Sequence, residues 1–127
     1  EDDMIATKAI FDCAGSSMLV KEAQMDAVGA LSGSGPAYFF LILEALSDAG
    51  VKAGLQRALA LELAVQTAMG SAEMIAEMKM HPAALKDMVT SQGGTTIEAL
   101  NVLESYSLRV AFVEAVEAAV EKSKRLG

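Results

Sequence analysis

Apolar residues recur at helical spacing along most of this chain, and the periodic stretches are separated by glycine or proline. The stretch from 36 to 49 is apolar nearly all round as far as Leu43, which is typical of a helix buried on every side. The next stretch, from about 56 to 80, carries alanines four residues apart, so small side chains form a narrow seam on one face. The pattern therefore predicts a long central pair of helices.

Shorter helices are predicted on both sides of this pair from acidic starts and glycine or proline boundaries. The predicted helices extend over residues 2–14, 22–31, 36–49, 56–80, from 82 towards 91, 96–104 and 108–126. We expect Gly15 and Gly50 to end two of them, and residues 16–21 to be extended with Met18 and Val20 on one side. Cys13 shares a helix face with Ile5 and Ile10, so we interpret it as a core residue and not a nucleophile.

The composition favours one all-α domain over residues 1–127. Of the 127 residues, 53% are hydrophobic but only 5% are aromatic, and the abundant alanine, leucine and methionine favour helices. No apolar run in the sequence approaches the roughly 18–20 residues that span a bilayer, so we expect no membrane partner. Excess apolar surface without a membrane segment indicates an obligate oligomer. We predict a helical bundle in which the central hairpin forms an intertwined, domain-swapped homodimer.

Charge and reactive side chains exclude several functions. The net charge of −7 disfavours nucleic acid as a partner. A single cysteine excludes an internal disulfide and fits a reducing cytoplasm, and one histidine beside it is too few for a zinc site, so no metal is expected. The histidine, His81, precedes a proline and is interpreted first as a helix cap, with an acid–base role as the alternative. The start of the chain shows no secretion signal.

The most informative stretch is Leu85–Leu100, where two predicted helices meet at a pair of glycines. Gly93 and Gly94 are expected to take positive φ, and Thr95 with Glu98 fits a capping box in which Thr95 is the N-cap. Free N–H groups, nearby hydroxyls and a positive helix dipole would then surround a small concavity suited to a carboxylate or phosphate. The alternative is a capped helical corner without a ligand.

Two ordered motifs in this chain resemble those of pyrroline-5-carboxylate reductases. The sequence Ser91-Gln92-Gly93-Gly94-Thr95-Thr96 follows His81-Pro82 and Leu85-Lys86-Asp87, and Asp26-Ala27-Val28 precedes Leu31-Ser32-Gly33-Ser34-Gly35-Pro36-Ala37-Tyr38. The resemblance covers essentially the whole chain but only the C-terminal half of that enzyme. It implies reduction of 1-pyrroline-5-carboxylate to proline with NADP or NAD as cofactor, and a homodimer that can assemble further.

The resemblance also implies roles for individual residues. Ser91, Gly93, Gly94, Thr95 and Thr96 would bind the substrate carboxylate, and Thr96 would bond the ring nitrogen and help manage its proton. Glu22 corresponds to an acid that lies near the substrate in the family. Met88 stands where the family often places an asparagine near the cofactor, and Gln92 replaces the usual proline.

The sequence contains no strand–glycine loop–helix unit of the dinucleotide-binding kind, since Tyr38 occupies the third glycine position after Gly33 and Gly35. We therefore expect the N-terminal nucleotide-binding domain to be absent and the chain to be inactive alone. Two other interpretations stay open. One is a helical dimerisation or scaffold module without reductase activity, and the other is a regulatory domain that binds a small anion.

Overall fold

The computed structural model describes residues 2–13 and 15–126, which are helical along most of their length and include no β-strand. The predicted all-α fold is therefore confirmed. The helices are α1 (Asp2–Asp12), α2 (Met25–Val28), α3 (Gly35–Lys52), α4 (Arg57–Met78), α5 (Pro82–Met88), α6 (Thr95–Ser105) and α7 (Leu108–Lys124). A 3₁₀ turn, Glu22–Gln24, precedes α2, and a π-helical segment, Gly29–Gly33, joins α2 to α3.

The centre of the fold is the helical hairpin formed by α3 and α4, as the hydrophobic pattern predicted. The two helices approach closely at Gly50, where an added Cβ would lie 2.9 Å from the Cβ of Ala60. The prediction that Gly50 ends the first helix of this hairpin is wrong, because α3 continues to Lys52. Gly50 serves the close approach of the helices, and Gly54, with φ of +103°, makes the turn between them.

A polar contact closes the turn end of this hairpin. The Arg57 guanidinium forms an ion pair with Asp48 and also donates a hydrogen bond to Ser47 Oγ at 3.3 Å. Ser47 is only 2% exposed, and a buried hydroxyl left without a partner costs about 1–3 kcal/mol. The contact therefore satisfies the one polar residue that the hairpin buries among the described residues.

The last helix, α7, packs against α2 and the π-helical segment. Ser123 Oγ donates a hydrogen bond to Asp26 Oδ1 at 2.5 Å, and this contact joins residues 97 positions apart. In the π-helical segment the Ser34 N–H bonds the Gly29 carbonyl, five residues back, at 2.9 Å. Tyr38 donates its hydroxyl to the Ala30 carbonyl at 3.2 Å. These bonds fix how α2 and the π-helical segment meet α3 and α7.

One chain leaves much of its apolar surface uncovered. Its accessible surface is 10366 Å², whereas a compact monomer of this mass would expose roughly 6,400 Å². Phe39, Phe40 and Leu41 on α3 are 62%, 69% and 66% exposed. The prediction that this helix is buried on every side is therefore not met within one chain. An exposed apolar surface of this extent is typical of a chain that is covered by another.

The N-terminal part of the chain differs from the prediction in two respects. Cys13 is exposed and its Sγ donates to the Ala9 carbonyl at 3.3 Å, so its assignment to the core is wrong. The physical reason is that the apolar face of α1 meets only a short segment around Met18. Residues 16–21 form no regular structure, with Met18 exposed and Val20 half-buried. The predicted helix end at Ala14 lies outside the described residues.

The helical run 22–52 is long and apolar enough, by length and composition, to cross a membrane. Such a run was not expected from the sequence. The difference arises because the π-helical segment continues α2 into α3, where the sequence suggested a break at Ser32–Pro36. Central helices that assemble with another chain have the same composition, and the absence of a membrane partner stays a prediction.

Candidate functional site

The candidate site begins with α5, whose start is fixed by His81 and Pro82. His81 is the N-cap, and its Nδ1 accepts a hydrogen bond from the Ala83 N–H at 3.2 Å. The interpretation of His81 as a cap is therefore confirmed. Leu85, 9% exposed, lines a pocket together with Met74 and Ile75 of α4. The helix that leads to the glycine pair thus lies beside the end of the central hairpin.

After α5 the chain closes two short turns before it reaches Ser91. Thr90 Oγ1 donates to the Lys86 carbonyl at 2.7 Å, and the Thr90 N–H bonds the Asp87 carbonyl at 3.1 Å. Both bonds engage groups that a helix end would otherwise leave unpaired. They direct the chain into the next turn, which starts at Ser91.

Residues Ser91–Gly94 form a type II turn. The Gly94 N–H bonds the Ser91 carbonyl at 3.2 Å, and Gly93 has φ of +64°. Gln92 is not among the described residues with positive φ, and a negative φ followed by a positive one defines this turn type. The expectation of positive φ is thus confirmed for Gly93 and wrong for Gly94, whose φ is −79°.

The predicted capping box is wrong. Gly94, in an extended conformation with ψ of 169°, is the N-cap of α6, and Thr95 is the first helical residue. Glu98 is consequently the fourth helical residue and not the third, so it does not occupy the position from which a capping box closes. No side chain caps the helix. The N–H groups of its first turn are left without an intrahelical acceptor.

Five of the six predicted substrate-binding residues lie together in the structure. They belong to the turn Ser91–Gly94 and to the first two residues of α6, and this segment is called the loop below. Gly94 and Thr96 are half-buried, and Ser91, Gly93 and Thr95 are exposed. Hence the loop is open to solvent and not sealed within packed side chains. Within one chain it forms an open surface, where the sequence suggested a small concavity.

Glu22 is not brought to this loop within one chain. It lies in the first turn of the 3₁₀ segment, is exposed, and belongs to an element that packs on α2. Met88, the last residue of α5, is 63% exposed and lies one turn before Ser91. The roles of both residues stay predictions.

Donors dominate the loop. The backbone N–H groups of Gln92 and Gly93 bond no carbonyl among the described residues, and the Ser91 hydroxyl makes no hydrogen bond there. The first turn of α6 adds its free N–H groups and the positive end of the helix dipole. Such an arrangement is suited to an anion of the size of a carboxylate.

Charged side chains flank the loop on both sides, near the end of α5 and at the end of α6. Arg109 donates a hydrogen bond from Nε to Glu104 Oε1 at 2.8 Å, and this bond holds the pKa of Glu104 below its ordinary value. The field of Lys86 acts in the same direction. Lys86 also pairs with Asp87 at 2.9 Å. In the part of the chain that is described, no three His, Cys, Asp or Glu side chains could hold a metal ion.

Sequence reasoning missed the relation between Ser91 and Gly94. A Cβ on Gly94 would collide with Ser91 Oγ and would lie 3.3 Å from the Ser91 carbonyl oxygen. The signal available in the sequence was a serine three residues before a glycine, which also occurs in ordinary turns. Only the folded turn shows that the two residues share one space.

Comparison with known proteins agrees with this description. A family model described as pyrroline-5-carboxylate reductase dimerisation matches residues 22–126. The chain is 53% identical over 126 residues to a pyrroline-5-carboxylate reductase of Synechocystis, and 49% identical over 126 residues to one of Methanosarcina acetivorans. In both cases the match covers 99% of this chain and 47% of the relative. The chain thus spans about half the length of the curated relatives that it matches.

Solved structures show the same fold. The pyrroline-5-carboxylate reductase of Coxiella burnetii matches with a TM-score of 0.95 and 41% identity, over all of this chain and 47% of that one. The pyrroline carboxylate reductase of Plasmodium falciparum, solved with NADP bound, matches with a TM-score of 0.94 and 43% identity, over all of this chain and 51% of that one. Motifs, fold and family model agree, and the chain belongs to the pyrroline-5-carboxylate reductase dimerisation family.

Proposed function

We propose that this chain is the dimerisation and substrate-binding part of a reductase that converts 1-pyrroline-5-carboxylate to proline with NAD(P)H. The observation that carries the proposal is the loop before α6. A type II turn and an uncapped helix start present fixed N–H donors there, within the residues that the family model matches. The relatives named above are pyrroline-5-carboxylate reductases, which supports this substrate.

In this proposal the loop binds the carboxylate of the substrate. The N–H groups of Gly93 and Thr95 and the hydroxyls of Ser91 and Thr95 supply donors, and the helix dipole favours the negative charge. Thr96, the second residue of α6, bonds the ring nitrogen with its hydroxyl and assists its protonation. The protein then acts chiefly by holding the imine carbon in a reactive orientation.

Two chains would assemble through the central hairpin. The surface that one chain exposes exceeds that of a compact monomer by roughly 4,000 Å², which is ample for the roughly 1,000–2,500 Å² that each partner of an obligate dimer commonly buries. Phe40 and Leu41 line the groove between α3 and α4 and would be covered by the second chain. We propose an intertwined dimer, in which the 3₁₀ turn that carries Glu22 can reach a loop that its own chain does not bring close.

The nicotinamide cofactor supplies the hydride. The described residues contain no strand, so they form no glycine turn between a strand and a helix and do not fit a dinucleotide in that manner. We propose that a nucleotide-binding domain of the parent protein holds the cofactor, and that the chain alone is inactive. Met88 is exposed one turn before the loop, and its apolar side chain would offer the cofactor no hydrogen bond.

A chimeric reductase tests the proposal. The chain is joined to the N-terminal half of the Synechocystis relative, and oxidation of NADPH is followed by absorbance with 1-pyrroline-5-carboxylate as the substrate. We expect turnover by the chimera and none by the chain alone. A folded chimera without turnover contradicts the proposed activity, and turnover by the chain alone contradicts the proposed division of labour.

Binding to the chain alone separates the proposal from its alternatives. L-Proline is titrated while the amide resonances of Gly93, Thr95 and Thr96 are followed by NMR. Shifts confined to this loop support a carboxylate site. Titration without shifts, together with a stable dimer, favours a scaffold module. Phosphate or sulfate binding more tightly than proline favours a regulatory anion site.

A further inference from the structure

The two adjacent glycines of the loop are required for different reasons. Gly93 has φ of +64°, a conformation that residues with side chains rarely adopt, yet its Cβ would meet nothing within 4 Å. Gly94 has φ of −79°, which any residue can adopt. The constraint at Gly94 is lack of space, because a Cβ would collide with Ser91 Oγ.

The collision identifies which group would move. Ser91 Oγ is the end of a side chain that rotates about one bond, so an alanine at position 94 would turn the hydroxyl away instead of unfolding the loop. The Ser91 carbonyl oxygen, 3.3 Å from the same Cβ, would have to yield by only a few tenths of an ångström. No hydrogen bond among the described residues holds the Ser91 hydroxyl. The free space at Gly94 therefore permits the present rotamer of the Ser91 side chain.

We propose that Gly94 is a positioning residue for Ser91. Because it has no side chain, the Ser91 hydroxyl can lie against the residue that caps α6, beside the free N–H groups of the helix start. The hydroxyl and these N–H groups then bind the same carboxylate oxygen atoms. This inference rests on the proposed function, since the position of the hydroxyl matters for binding only if a carboxylate occupies the loop.

A double-mutant cycle in the chimeric reductase tests this role. The variants are Ser91→Ala, Gly94→Ala and the two substitutions combined. Each single substitution should raise the KM for 1-pyrroline-5-carboxylate by about tenfold, as expected for the loss of one hydrogen bond to a charged group. The larger part of the change should fall on this KM and not on kcat. The double variant should stay near tenfold, because Gly94→Ala acts only through a hydroxyl that is already gone.

The outcomes are distinct. A double variant near one hundredfold, or a Gly94→Ala variant like wild type, overturns the positioning role. Thermal unfolding provides a second measurement. Gly94→Ala should lose less stability in the Ser91→Ala background than in the wild type, because the hydroxyl is the group with which the new Cβ collides, and an equal loss in both backgrounds also overturns the role. Gly33→Ala, whose Cβ meets nothing within 4 Å, is the matched control and should leave this KM unchanged. If the wild-type chimera shows no turnover, the proposed function itself is wrong. The variants test only the positioning role of Gly94.

Discussion

The central hairpin and the loop before α6 are built on opposite principles. In the hairpin, regular helices carry large apolar side chains that a single chain leaves exposed, such as Phe40 at 69%. In the loop, hydrogen bonds to residues three or four positions away define the backbone shape of residues 90–94, and several N–H donors there have no partner among the described residues. The hairpin therefore lacks a cover for its apolar side chains, whereas the loop lacks an acceptor for its donors.

The difference shows where stability and binding chemistry reside. Burial of apolar surface contributes about 25 cal/mol per Å², so the hairpin gains most of its stability only when another chain covers it. The loop depends on backbone conformation, above all the positive φ of Gly93. Substitutions in the two regions should therefore differ in size and in the property that they change.

The largest effect is expected for Phe40→Glu. On a surface exposed in solution this change would alter stability by no more than about 0.5 kcal/mol. If a second chain covers Phe40, the buried charge should cost several kcal/mol and dissociate the assembly. Sedimentation velocity and thermal unfolding measure both effects, and Gln66→Glu, on an exposed polar position of α4, is the control. An unchanged sedimentation coefficient for Phe40→Glu contradicts assembly through this face.

Gly50→Ala tests the packing inside the hairpin. The new methyl group would lie 2.9 Å from the Cβ of Ala60, and because both atoms are attached directly to helix backbone, the helices must separate. Overpacking of this kind costs about 1–3 kcal/mol. Denaturant unfolding measures the loss. Gly70→Ala on α4, whose Cβ meets nothing within 4 Å in the chain, is the control, and equal stabilities of the two variants would contradict the close approach.

Gln92→Pro should stabilise the chain, by about 0.4–1 kcal/mol. Gln92 occupies the first central position of the type II turn, where proline is favoured, and its N–H bonds no carbonyl among the described residues. Denaturant unfolding again measures the change, with Gln92→Ala as the control for loss of the side chain. A destabilised proline variant would show that Gln92 departs from the turn geometry in solution.

The smallest effect is expected for Glu104→Gln. The hydrogen bond from Arg109 lowers the pKa of Glu104, so this carboxylate stabilises the fold above its unfolded pKa, and the contribution is lost as pH falls through its folded pKa. The variant should unfold at a slightly lower temperature than wild type at pH 7. This difference in unfolding temperature should disappear below the ordinary glutamate pKa of 4.5. At pH 7 it should also shrink with added salt, because the ion pair is exposed. Glu114→Gln, at an exposed position of α7, is the control for the loss of a surface carboxylate.

Hydrophobic periodicity was sufficient to predict that the chain is all-α and that a long hairpin lies at its centre. Local sequence could not decide what each glycine does. Gly50 has the sequence signature of a helix stop, yet it lies within α3. A glycine is needed at this position because Ala60 of α4 approaches it too closely for a side chain. Thr95 and Glu98 match a capping box, but the extended conformation of Gly94 starts α6 one residue early. Both outcomes depend on neighbours that sequence spacing does not reveal.

The turn at the glycine pair could be predicted because its residues are consecutive, so their proximity needs no tertiary information. Glu22 lies on a different element, and a single sequence does not specify whether its own chain or another brings it to the loop. The π-helical segment Gly29–Gly33 was also missed. One residue inserted into a helical turn leaves the hydrophobic pattern almost unchanged, and the glycines around it resembled a break between helices.

The bond between Ser123 and Asp26 also bears on the order in which the chain folds. Its partners are 97 positions apart, so the entropy of closing such a large loop is lost before the contact gives anything in return. Neighbouring helices such as α3 and α4 can pair as soon as both have left the ribosome, whereas the contact between α2 and α7 must wait until Ser123 has been synthesised. The packing of α2 against α7 is therefore expected to form after the central hairpin.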